Sequence, residues 1–430
     1  MYWKSRTCEM SRLRVVFLAE NLPFPGDTRA YSEATALSEY GAEVSVICPK
    51  NARNDAGFEM VDGICVYRYW QPWRGTGMLT YAMEYGWAMA CSFAIMLWIF
   101  MRHGFDVVHA ANPPDVLWIP ALPFLALGKQ FVFDQHALCP ELLDLRLTNA
   151  VWVKRLLLLF EQISCRLATL VIVTNQSAYD IALERGESHE KLCIVRDGPD
   201  LNRFIDVAKR PELKAGAKYL AVYVGTLASQ NGIDRILSAA SYIVHERNRR
   251  DVQFAIVGDG DCLGDLQSLA LALGIEQYVR FPGWIDGSEF QAYLATADVC
   301  LAPEPPHEFN RRSSFIKLTE YMRYGKATVT FDLLESRRTL GPAGIYVDQD
   351  NLRRFGSAIL GILDDPERRL AIGETAKQRL RSGFHWGLSK RALIEAYDAV
   401  VVKGSRRSVA RLDWATRVEG SLLTDSQARG

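Results

Sequence analysis

Short apolar runs alternate with longer segments of helical spacing along most of the chain. The first run, residues 14–19, is followed by a polar loop and by residues 29–40, in which apolar positions recur as on one face of a helix. Continuous apolar strands that alternate with helices are typical of a parallel sheet covered on both faces. The pattern therefore predicts a doubly wound α/β domain. Its further strands are predicted at residues 43–48, 64–70, 106–110, 130–134 and 170–174.

The alternation breaks at residues 195–204 and then restarts. Gly198 and Pro199 interrupt it and a charged stretch follows to Lys218, which is typical of an interdomain linker. We expect a second α/β domain of the same class, with ligands in a central cleft at the carboxyl ends of both sheets. A final helix is predicted at residues 388–402. The strands of the second domain are predicted at residues 219–224, 252–257, 279–281, 299–302, 327–331 and 344–347.

One stretch of the second domain combines helix signals with useful chemistry. Ser313 or Ser314 can cap a helix and Gly325 can end it, because a serine oxygen accepts from free amides and glycine tolerates a left-handed cap. On this helix Lys317 and Glu320 share the face opposite the apolar side chains. Free N–H groups and Lys317 suit a diphosphate, and Glu320 can bind a ribose diol. The alternative is an ordinary amphipathic helix with a solvated Lys317–Glu320 pair.

Two glycine-containing loops follow strands of the second domain. The loop from Gly225 to Gly232 opens a helix, and its N–H groups could form an anion nest, although a plain strand-to-helix turn needs no ligand. Gly258 and Gly260 begin like a dinucleotide fingerprint, but the third glycine comes one residue late, at Gly264. A tight turn that lets the backbone approach a nucleotide is favoured over an NAD site.

Polar side chains also follow a strand of the first domain. Asp134, His136 and Glu141 could supply a base, an orienting carboxylate or contacts to sugar hydroxyls. A lone histidine is more often structural, so that alternative stays open. A second polar strand end carries His109, Asn112 and Asp115.

Composition narrows the class of protein. A chain of 430 residues suits two domains. Lys plus Arg equals Asp plus Glu, 50 against 50, so no overall field attracts nucleic acid. The cysteines occur without a C-x-x-C pair, which argues against a disulfide framework and a zinc site. We expect a cytoplasmic protein with no metal and no nucleic-acid partner.

Two segments raise the question of a membrane. The uninterrupted apolar part of residues 78–101 is shorter than the roughly 20 residues that a span needs, so a helix buried against the sheet is favoured and a helix at the bilayer surface comes second. Lys154 and Arg155 beside apolar neighbours in residues 151–160 fit either a helix touching anionic lipid or one packed on its own sheet. Contact of both segments with the cytoplasmic face of the plasma membrane is therefore an open expectation.

Taken together, several segments resemble the GT-B glycosyltransferases of family 4, which transfer a sugar from a nucleotide donor with retention of anomeric configuration. A bacterial branch carries a strand-end His-Asp-Leu-x-Pro-Glu-Leu, and this chain has His136-Ala-Leu-Cys-Pro-Glu-Leu142. The same branch has Ser-Thr-Met-x-Lys-x-x-Glu-Tyr-Met-Ala-x-Gly-Lys-Pro, and the counterpart here begins at Ser313 and ends Tyr-Gly-Lys-Ala327. The resemblance covers roughly residues 13–400.

The resemblance implies two Rossmann-like domains facing a central cleft. An acceptor-binding domain would span residues 1–196 and a nucleotide-sugar-binding domain residues 197–385. A helix over residues 386–403 would pack back on the first domain, before a flexible tail over residues 404–430.

The resemblance also implies roles for residues. Glu320 matches the second glutamate of the family's E-x7-E signature and would bind the donor ribose. Lys317, with the amides of Ser313 and Ser314, would face the phosphates or donor sugar, and His136 would contact the transferred sugar or the acceptor. The other residues assigned to donor binding are Gly225, Thr226, Asn231, Gly258, Gly260 and Asn310.

Some positions depart from the family pattern. Arg312 stands where the first glutamate is usual, and Thr226 and Asn231 stand where the phosphate loop commonly has Arg and Lys.

The resemblance implies a membrane-peripheral retaining enzyme that needs no metal, uses a nucleoside diphosphate sugar, and acts on a glycan or lipid-linked acceptor in bacterial surface polysaccharide synthesis. The alternatives are a nucleotide-sugar epimerase on the same fold and a binding subunit without catalysis.

Overall fold

The computed structural model describes residues 13–21, 23–50, 56–73, 77–146, 151–201, 207–285, 287–348 and 351–404. The chain forms two compact units. The first unit comprises the described residues up to Val195 and those from Ser389 onward, and the second runs from Arg196 to Leu388. Part of the predicted linker, residues 202–206, and the predicted flexible tail from residue 405 onward lie outside the described residues.

Strands and helices alternate through both units, as the hydrophobic pattern predicts. The strands are β1 (Arg14–Ala19), β2 (Glu43–Pro49), β3 (Phe58–Val61), β4 (Ile64–Tyr69), β5 (Val107–Ala111), β6 (Gln130–Gln135), β7 (Leu170–Val173), β8 (Leu192–Ile194), β9 (Tyr219–Val224), β10 (Val252–Val257), β11 (Val279–Gly283), β12 (Val299–Ala302), β13 (Thr328–Phe331) and β14 (Gly344–Val347). The helices are α1 (Thr28–Glu39), α2 (Met78–Arg102), α3 (Trp118–Ala126), α4 (Cys139–Arg146), α5 (Val151–Leu167), α6 (Gln176–Glu184), α7 (Ile233–Ser241), α8 (Leu263–Ala272), α9 (Gly287–Thr296), α10 (Glu308–Arg312), α11 (Ile316–Arg323), α12 (Leu334–Leu340), α13 (Leu352–Leu363), α14 (Pro366–Arg379) and α15 (Trp386–Gly404).

The first unit is built on one sheet with the strand order β3-β4-β2-β1-β5-β6-β7-β8. All neighbours in this sheet are parallel except β3, which pairs antiparallel with β4 at the edge. Side chains of β1, β5 and β6 share a core cluster with residues of α2, α3 and α6. The predicted α/β class is confirmed, and so are the predicted strands. Strands β3 and β8 were not predicted from the sequence.

Helix α1 carries two charged residues into the interior of the first unit. Asp27 caps its start, because the Asp27 carboxylate accepts hydrogen bonds from the backbone N–H groups of Arg29 and Ala30. The buried face of the helix includes Ala30 and Leu37 and also Arg29 and Glu33, which lie one turn apart. A charged pair on a buried face needs partners from elsewhere in the fold.

Helix α2 is long and apolar enough to cross a membrane, yet it packs against β2, β4 and α3. Only 22% of its most apolar window is buried. Ala88, Met96 and Ile99 enter the core, whereas Leu79 and Met101 are more than two-thirds exposed. The favoured interpretation of a helix buried against the sheet is therefore only partly correct.

The second unit is built on a sheet in which every strand is parallel to its neighbours, in the order β11-β10-β9-β12-β13-β14. The strands β9, β10 and β12 are almost wholly buried. Their carboxyl ends lie side by side at one edge, which is where ligands of such sheets bind. The predicted strands of this domain are confirmed.

The predicted start of the helix that carries Lys317 is wrong. Helix α11 begins at Ile316, and neither Ser313 nor Ser314 caps it, since Phe315 is the capping residue. Ser313 instead ends the short helix α10, where its hydroxyl donates to the Phe309 carbonyl. The predicted end is confirmed, because Gly325 follows the helix with a φ of 60°.

Candidate functional site

The polar edge of the second unit is centred on Lys317. Its Nζ contacts Oε1 of Glu304, lies 3.0 Å from the Tyr223 hydroxyl oxygen, and lies 4.2 Å from the centre of the Tyr223 ring. The Glu304 side chain is fully buried, and that of Lys317 is 10% exposed. The alternative of a solvated Lys317–Glu320 pair is therefore wrong, because the partner of Lys317 comes from the end of β12.

Lys317 keeps its charge in this position. Burial opposes the charged form, but the carboxylate of Glu304 outweighs it and raises the pKa of Lys317 above its ordinary value. An ammonium group has three donors, and Glu304 and Tyr223 engage two of them. Neither Glu304 nor Tyr223 was predicted from the sequence as a site residue. Their position directly at strand ends was the signal that could have found them.

Bare backbone lies beside the ammonium group of Lys317. A Cβ atom on Gly225 would be 3.1 Å from Lys317 Nζ, and a Cβ atom on Gly258 would be 1.9 Å from the Gly225 carbonyl oxygen. Gly258 also has a φ of 141°, which other residues rarely adopt. The loops after β9 and β10 therefore pack directly against each other. A cation next to exposed backbone is suited to a diphosphate.

The loop after β9 is held by amide side chains. Asn231 donates to the Thr226 carbonyl at 2.7 Å. Asn310 is fully buried and donates to the carbonyls of Gln230 at 3.0 Å and Pro305 at 2.9 Å. Both amide groups brace the loop, so the structure places Asn231 and Asn310 in its scaffold. Gly260 belongs to the same scaffold, because a Cβ atom there would lie 2.5 Å from the Leu227 carbonyl oxygen.

The start of α11 forms a second polar part of this edge. The first N–H groups of the helix have no side-chain cap. Among the described residues the buried Ser314 hydroxyl has no hydrogen-bond partner, and it lines a cavity of about 10 Å³ with Arg196 and Phe315. Glu320, one turn along the helix, is half-buried and 3.6 Å from Arg323. Burial raises the pKa of Glu320, although Arg323 lowers it in part.

Arg312, which stands where the family signature usually has its first glutamate, has a partner in its own helix. Arg312 forms an ion pair with Glu308 of the same short helix, at 2.5 Å. Arg196 lies 3.9 Å from the buried carboxylate of Glu335. Burial lowers the pKa of Arg196. Both cations are thus engaged by carboxylates of the second unit.

The first unit places His136 directly after β6. Its Nε2 contacts Oδ2 of Asp134, and the His136 side chain is 17% exposed. Asp134 is fully buried and forms a bidentate pair with Arg29, at 2.8 and 3.2 Å. Arg29 also lies 3.0 Å from Glu33. The histidine therefore stands at the accessible end of a buried ionic cluster.

The cluster fixes the charges of its members. Burial opposes ionisation of Asp134, but Arg29 and His136 hold its pKa well below the usual range. Burial opposes the cation at His136, but Asp134 outweighs it and raises the pKa of His136. Burial raises the pKa of Glu33. The cluster therefore favours the protonated form of His136 more than water favours that of a free imidazole.

The backbone next to His136 is also fixed. Asn112 is buried, accepts from the Ala137 N–H at 3.0 Å, and donates to the Ala137 carbonyl at 2.8 Å. It also donates to Asp115 at 2.7 Å. Asn112 and Asp115, at the second polar strand end, therefore hold this loop in place. Glu141, a further candidate, forms an ion pair with Arg185.

One group of the cluster has the geometry of metal ligands. Ligand atoms of Glu33, Asp134 and His136 lie within 4.8 Å of one another. Arg29 already pairs with both carboxylates, and its fixed positive charge would repel a metal ion at this position. The donor set therefore does not fit a metal, and the expectation that none is needed stays a prediction.

Comparison with known proteins finds matches among glycosyltransferases. Residues 26–198 match the model "Glycosyl transferase 4-like domain", and residues 218–365 match "Glycosyl transferases group 1". An alpha-D-kanosaminyltransferase of Streptomyces kanamyceticus is 27% identical over 175 residues, which are 39% of this chain and 44% of that protein. A glycogen synthase of Mycobacterium tuberculosis is 26% identical over 318 residues, which are 71% of this chain and 72% of that protein. The chain thus spans less than half of the first relative and about three-quarters of the second.

Solved structures share the fold. Sucrose-phosphate synthase of Thermosynechococcus elongatus superposes with a TM-score of 0.73 at 18% identity, covering 91% of this chain and 100% of that one. HepE of Anabaena, in complex with UDP-glucose, superposes with a TM-score of 0.68 at 16% identity, covering 90% of this chain and 100% of that one. The two parallel sheets, their strand-end chemistry and the two matched domains make this chain a member of the GT-B glycosyltransferases of the family 4 type.

Proposed function

We propose that this protein is a retaining glycosyltransferase that moves a sugar from a UDP-linked donor to a glycan or lipid-linked acceptor in bacterial surface polysaccharide or glycoconjugate synthesis. The observation that carries the proposal is the buried ammonium group of Lys317 beside the bare backbone of Gly225. The solved relative HepE in complex with UDP-glucose supports the choice of donor.

The residues of the second unit would bind the donor. Lys317 and the N–H groups at the start of α11 would stabilise the negative charge that develops on the departing diphosphate, without a metal. The carboxylate of Glu320 would accept hydrogen bonds from the ribose hydroxyls. A fixed cation needs little reorganisation during the reaction, and Glu304 and Tyr223 hold Lys317 in place.

The residues of the first unit would act on the acceptor. In a retaining transfer the acceptor oxygen attacks on the face from which the diphosphate leaves, and a donor phosphate oxygen takes the acceptor proton. His136, whose protonated form is favoured by Asp134, would donate a hydrogen bond that positions the acceptor or transferred sugar. It would act as a positioning donor more than as a base.

A two-step experiment tests this function. Thermal shift with UDP, GDP and ADP sugars identifies the donor, since a ligand stabilises the folded form by RT ln(1 + [L]/Kd). Incubation of that donor with membrane extracts and NMR of the product then gives the anomeric configuration. An α-linked product from an α-linked donor supports retention. A change in the stereochemistry of the donor sugar in the absence of an acceptor indicates the epimerase. Tight donor binding with neither transfer nor hydrolysis indicates the binding subunit.

We further propose that the protein binds the cytoplasmic face of the plasma membrane through α2, α3 and α5. Helix α2 packs against α3, and α3 packs against α5, and the exposed apolar side chains of these three helices are here named the apolar face. An apolar surface of this extent is typical of an interaction site. The large apolar side chains exposed on it are Leu79, Met83, Trp87, Phe93, Leu97, Trp98, Met101, Ile119, Leu122, Val151, Trp152, Leu156, Leu159 and Leu167.

The charges on the apolar face are suited to an anionic bilayer. Arg102, Arg155 and Arg166 are exposed, whereas the two carboxylates of these helices, Glu84 and Glu161, are half-buried and buried. Cations near a membrane surface contribute about 1 kcal/mol each. A helix that enters the core at one side, as α2 does, would lie in the interface plane and not span it.

Vesicle co-sedimentation tests the membrane proposal. The wild-type chain should bind vesicles containing anionic phospholipid and bind neutral vesicles more weakly. Trp152→Glu, at a side chain that is 61% exposed, should reduce binding at least about tenfold. Leu271→Glu, at a 67% exposed residue of the second unit, is the matched control and should change nothing. A wild-type chain that stays in the supernatant with both vesicle types would contradict the proposal.

A further inference from the structure

A line of contacts runs from the last helix to the partly exposed His136 of the first unit. The Tyr397 hydroxyl of α15 lies 2.6 Å from Nδ1 of His109, at the middle of β5. Nε2 of His109 lies 3.3 Å from Glu33 and 3.5 Å from Oδ2 of Asp134. The same Oδ2 atom contacts His136. Tyr397 and His136 are therefore linked through two intermediate side chains.

Only one end of this line is accessible. Tyr397, His109, Glu33 and Asp134 are all fully buried, whereas His136 is 17% exposed. A substrate can touch His136 but none of the others. Any effect of Tyr397 or His109 on the reaction must therefore pass through His136.

The ring of His109 is fixed by stacking on one face and by the contact of Nδ1 with Tyr397. It stacks on Phe17, with ring centres 4.1 Å apart. Burial opposes the cation at His109, but Asp134 and Glu33 outweigh it and raise its pKa. A protonated ring donates from both nitrogens, so Nδ1–H needs an acceptor. The Tyr397 hydroxyl oxygen lies 2.6 Å from Nδ1 and can be that acceptor, and burial raises the pKa of Tyr397 well above its ordinary value, which keeps the phenol neutral.

Two cations thus share the Asp134 carboxylate with His136. Arg29 bonds to both of its oxygens, and His109 faces Oδ2 from the sheet. Two further charged groups lie around the cluster. The charge of Asp27 favours the protonated form of His136, and burial, Glu33 and Glu395 together raise the pKa of Cys193. If His109 loses its proton, Asp134 loses one cation and its charge acts more strongly on His136.

We propose that Tyr397 and His109 are positioning residues for His136, so that the last helix of the chain completes the acceptor-side site of the first unit. The proposal rests on the role of His136 in the proposed function. It deepens that role, because it assigns the orientation and charge of His136 to a hydroxyl that no substrate reaches.

NMR titration of His136 in Tyr397→Phe tests the proposal without relying on turnover. Without the acceptor on Nδ1, His109 becomes neutral, and the loss of one nearby cation should raise the pKa of His136 by about one unit. In a transfer assay the alkaline limb of the kcat–pH profile should therefore move to higher pH by about the same amount, while KM for the donor stays unchanged. Tyr179→Phe is the matched control, because the Tyr179 hydroxyl lies 2.8 Å from Nδ1 of His189 in the same unit, outside the cluster.

A second variant covers the case in which Tyr397→Phe does not fold. His109→Gln removes the cation but keeps an amide that can donate to the carboxylates, and it should raise the pKa of His136 in the same direction. An unchanged His136 titration in both folded variants would overturn the proposal. If the titration moves but the wild-type chain transfers no sugar, the positioning network stands and the proposed function fails.

Discussion

The side chains at the carboxyl ends of the strands differ between the two units. At the edge of the second unit, side chains are absent where Gly225 and Gly258 meet, and one cation stands beside the bare backbone. At the edge of the first unit, His136 is backed by buried ions of both signs. A diphosphate needs close approach to N–H groups and a fixed positive charge. The histidine proposed to act on the acceptor would need a fixed ring and a fixed proton, so under the proposed function the same sheet architecture would serve two kinds of chemistry.

The surfaces of the units differ as well. Among the described residues, large exposed apolar side chains are concentrated on α2, α3 and α5 of the first unit, whereas on the second unit they are scattered. Scattered apolar residues are ordinary on a soluble surface. The unit with the proposed acceptor site is therefore also the unit suited to a membrane, which agrees with a lipid-linked acceptor.

The largest expected effect is that of Lys317→Met. It leaves Glu304 buried without its cation, and breaking such a pair costs about 3–5 kcal/mol of folding free energy. Thermal stabilisation by the donor should disappear as well. Chemical denaturation and thermal shift with UDP measure the two effects.

A double variant separates stability from donor binding. Lys317→Met with Glu304→Gln removes both charges and should recover most of the lost folding free energy while donor binding stays absent. A double variant that binds UDP like the wild type would show that Lys317 only stabilises the fold.

Gly258→Ala should have the next largest effect. The added methyl group would overlap the Gly225 carbonyl, and the positive φ adds strain, for a cost of roughly 2–4 kcal/mol and a clear loss of donor affinity. Gly264→Ala is the control, because nothing lies within 4 Å of its Cβ position and alanine favours the helix. Equal stability and equal UDP affinity in the two variants would contradict the close packing of the two loops.

His136→Asn should lower kcat about 100-fold, since it removes the positioning donor, while UDP affinity of the second unit stays unchanged. The wild-type rate should also fall as pH rises through the raised pKa of His136, because the imidazolium loses its proton there. This alkaline limb should be absent in the variant. An identical pH profile in both proteins would remove His136 from the reaction.

Glu320→Gln should have the smallest of these effects. Loss of charged hydrogen bonds to the ribose, worth roughly 1.5–3 kcal/mol, should raise KM for the donor or lower kcat by one to two decades. Glu308→Gln removes an exposed carboxylate from the preceding helix and should change the kinetics little. Unchanged kinetics in both variants would place Glu320 outside the donor site.

The sequence predicted the fold well because buried parallel strands leave continuous apolar runs. It missed β3, whose Phe58 and Met60 are exposed at the sheet edge, and β8, which has only three residues. It also misplaced the start of α11, because the Ser313 hydroxyl bonds back to the turn before it instead of capping the helix after it. A serine between two helical segments can bond to the preceding turn or cap the following helix, and tertiary packing determines which of the two forms.

The candidate site was predicted in part. Lys317, Glu320 and His136 were predicted from spacing and resemblance, because Lys317 and Glu320 share one face of α11 and His136 directly follows β6. The partners that fix them are distant in sequence: Glu304 pairs with Lys317 across the end of β12, and Arg29 reaches Asp134 from another helix. Spacing within one helix cannot reveal such pairs, although a polar residue directly after a strand is a usable signal.

The first unit is discontinuous, because its last segment follows the whole of the second unit in the chain. On the ribosome, residues 13–195 emerge long before the helix that carries Tyr397. Until synthesis is complete, His109 has no hydroxyl to bond and the amino-terminal unit cannot reach its final state. The order of translation therefore delays the contact between Tyr397 and His109 until the second unit has been made.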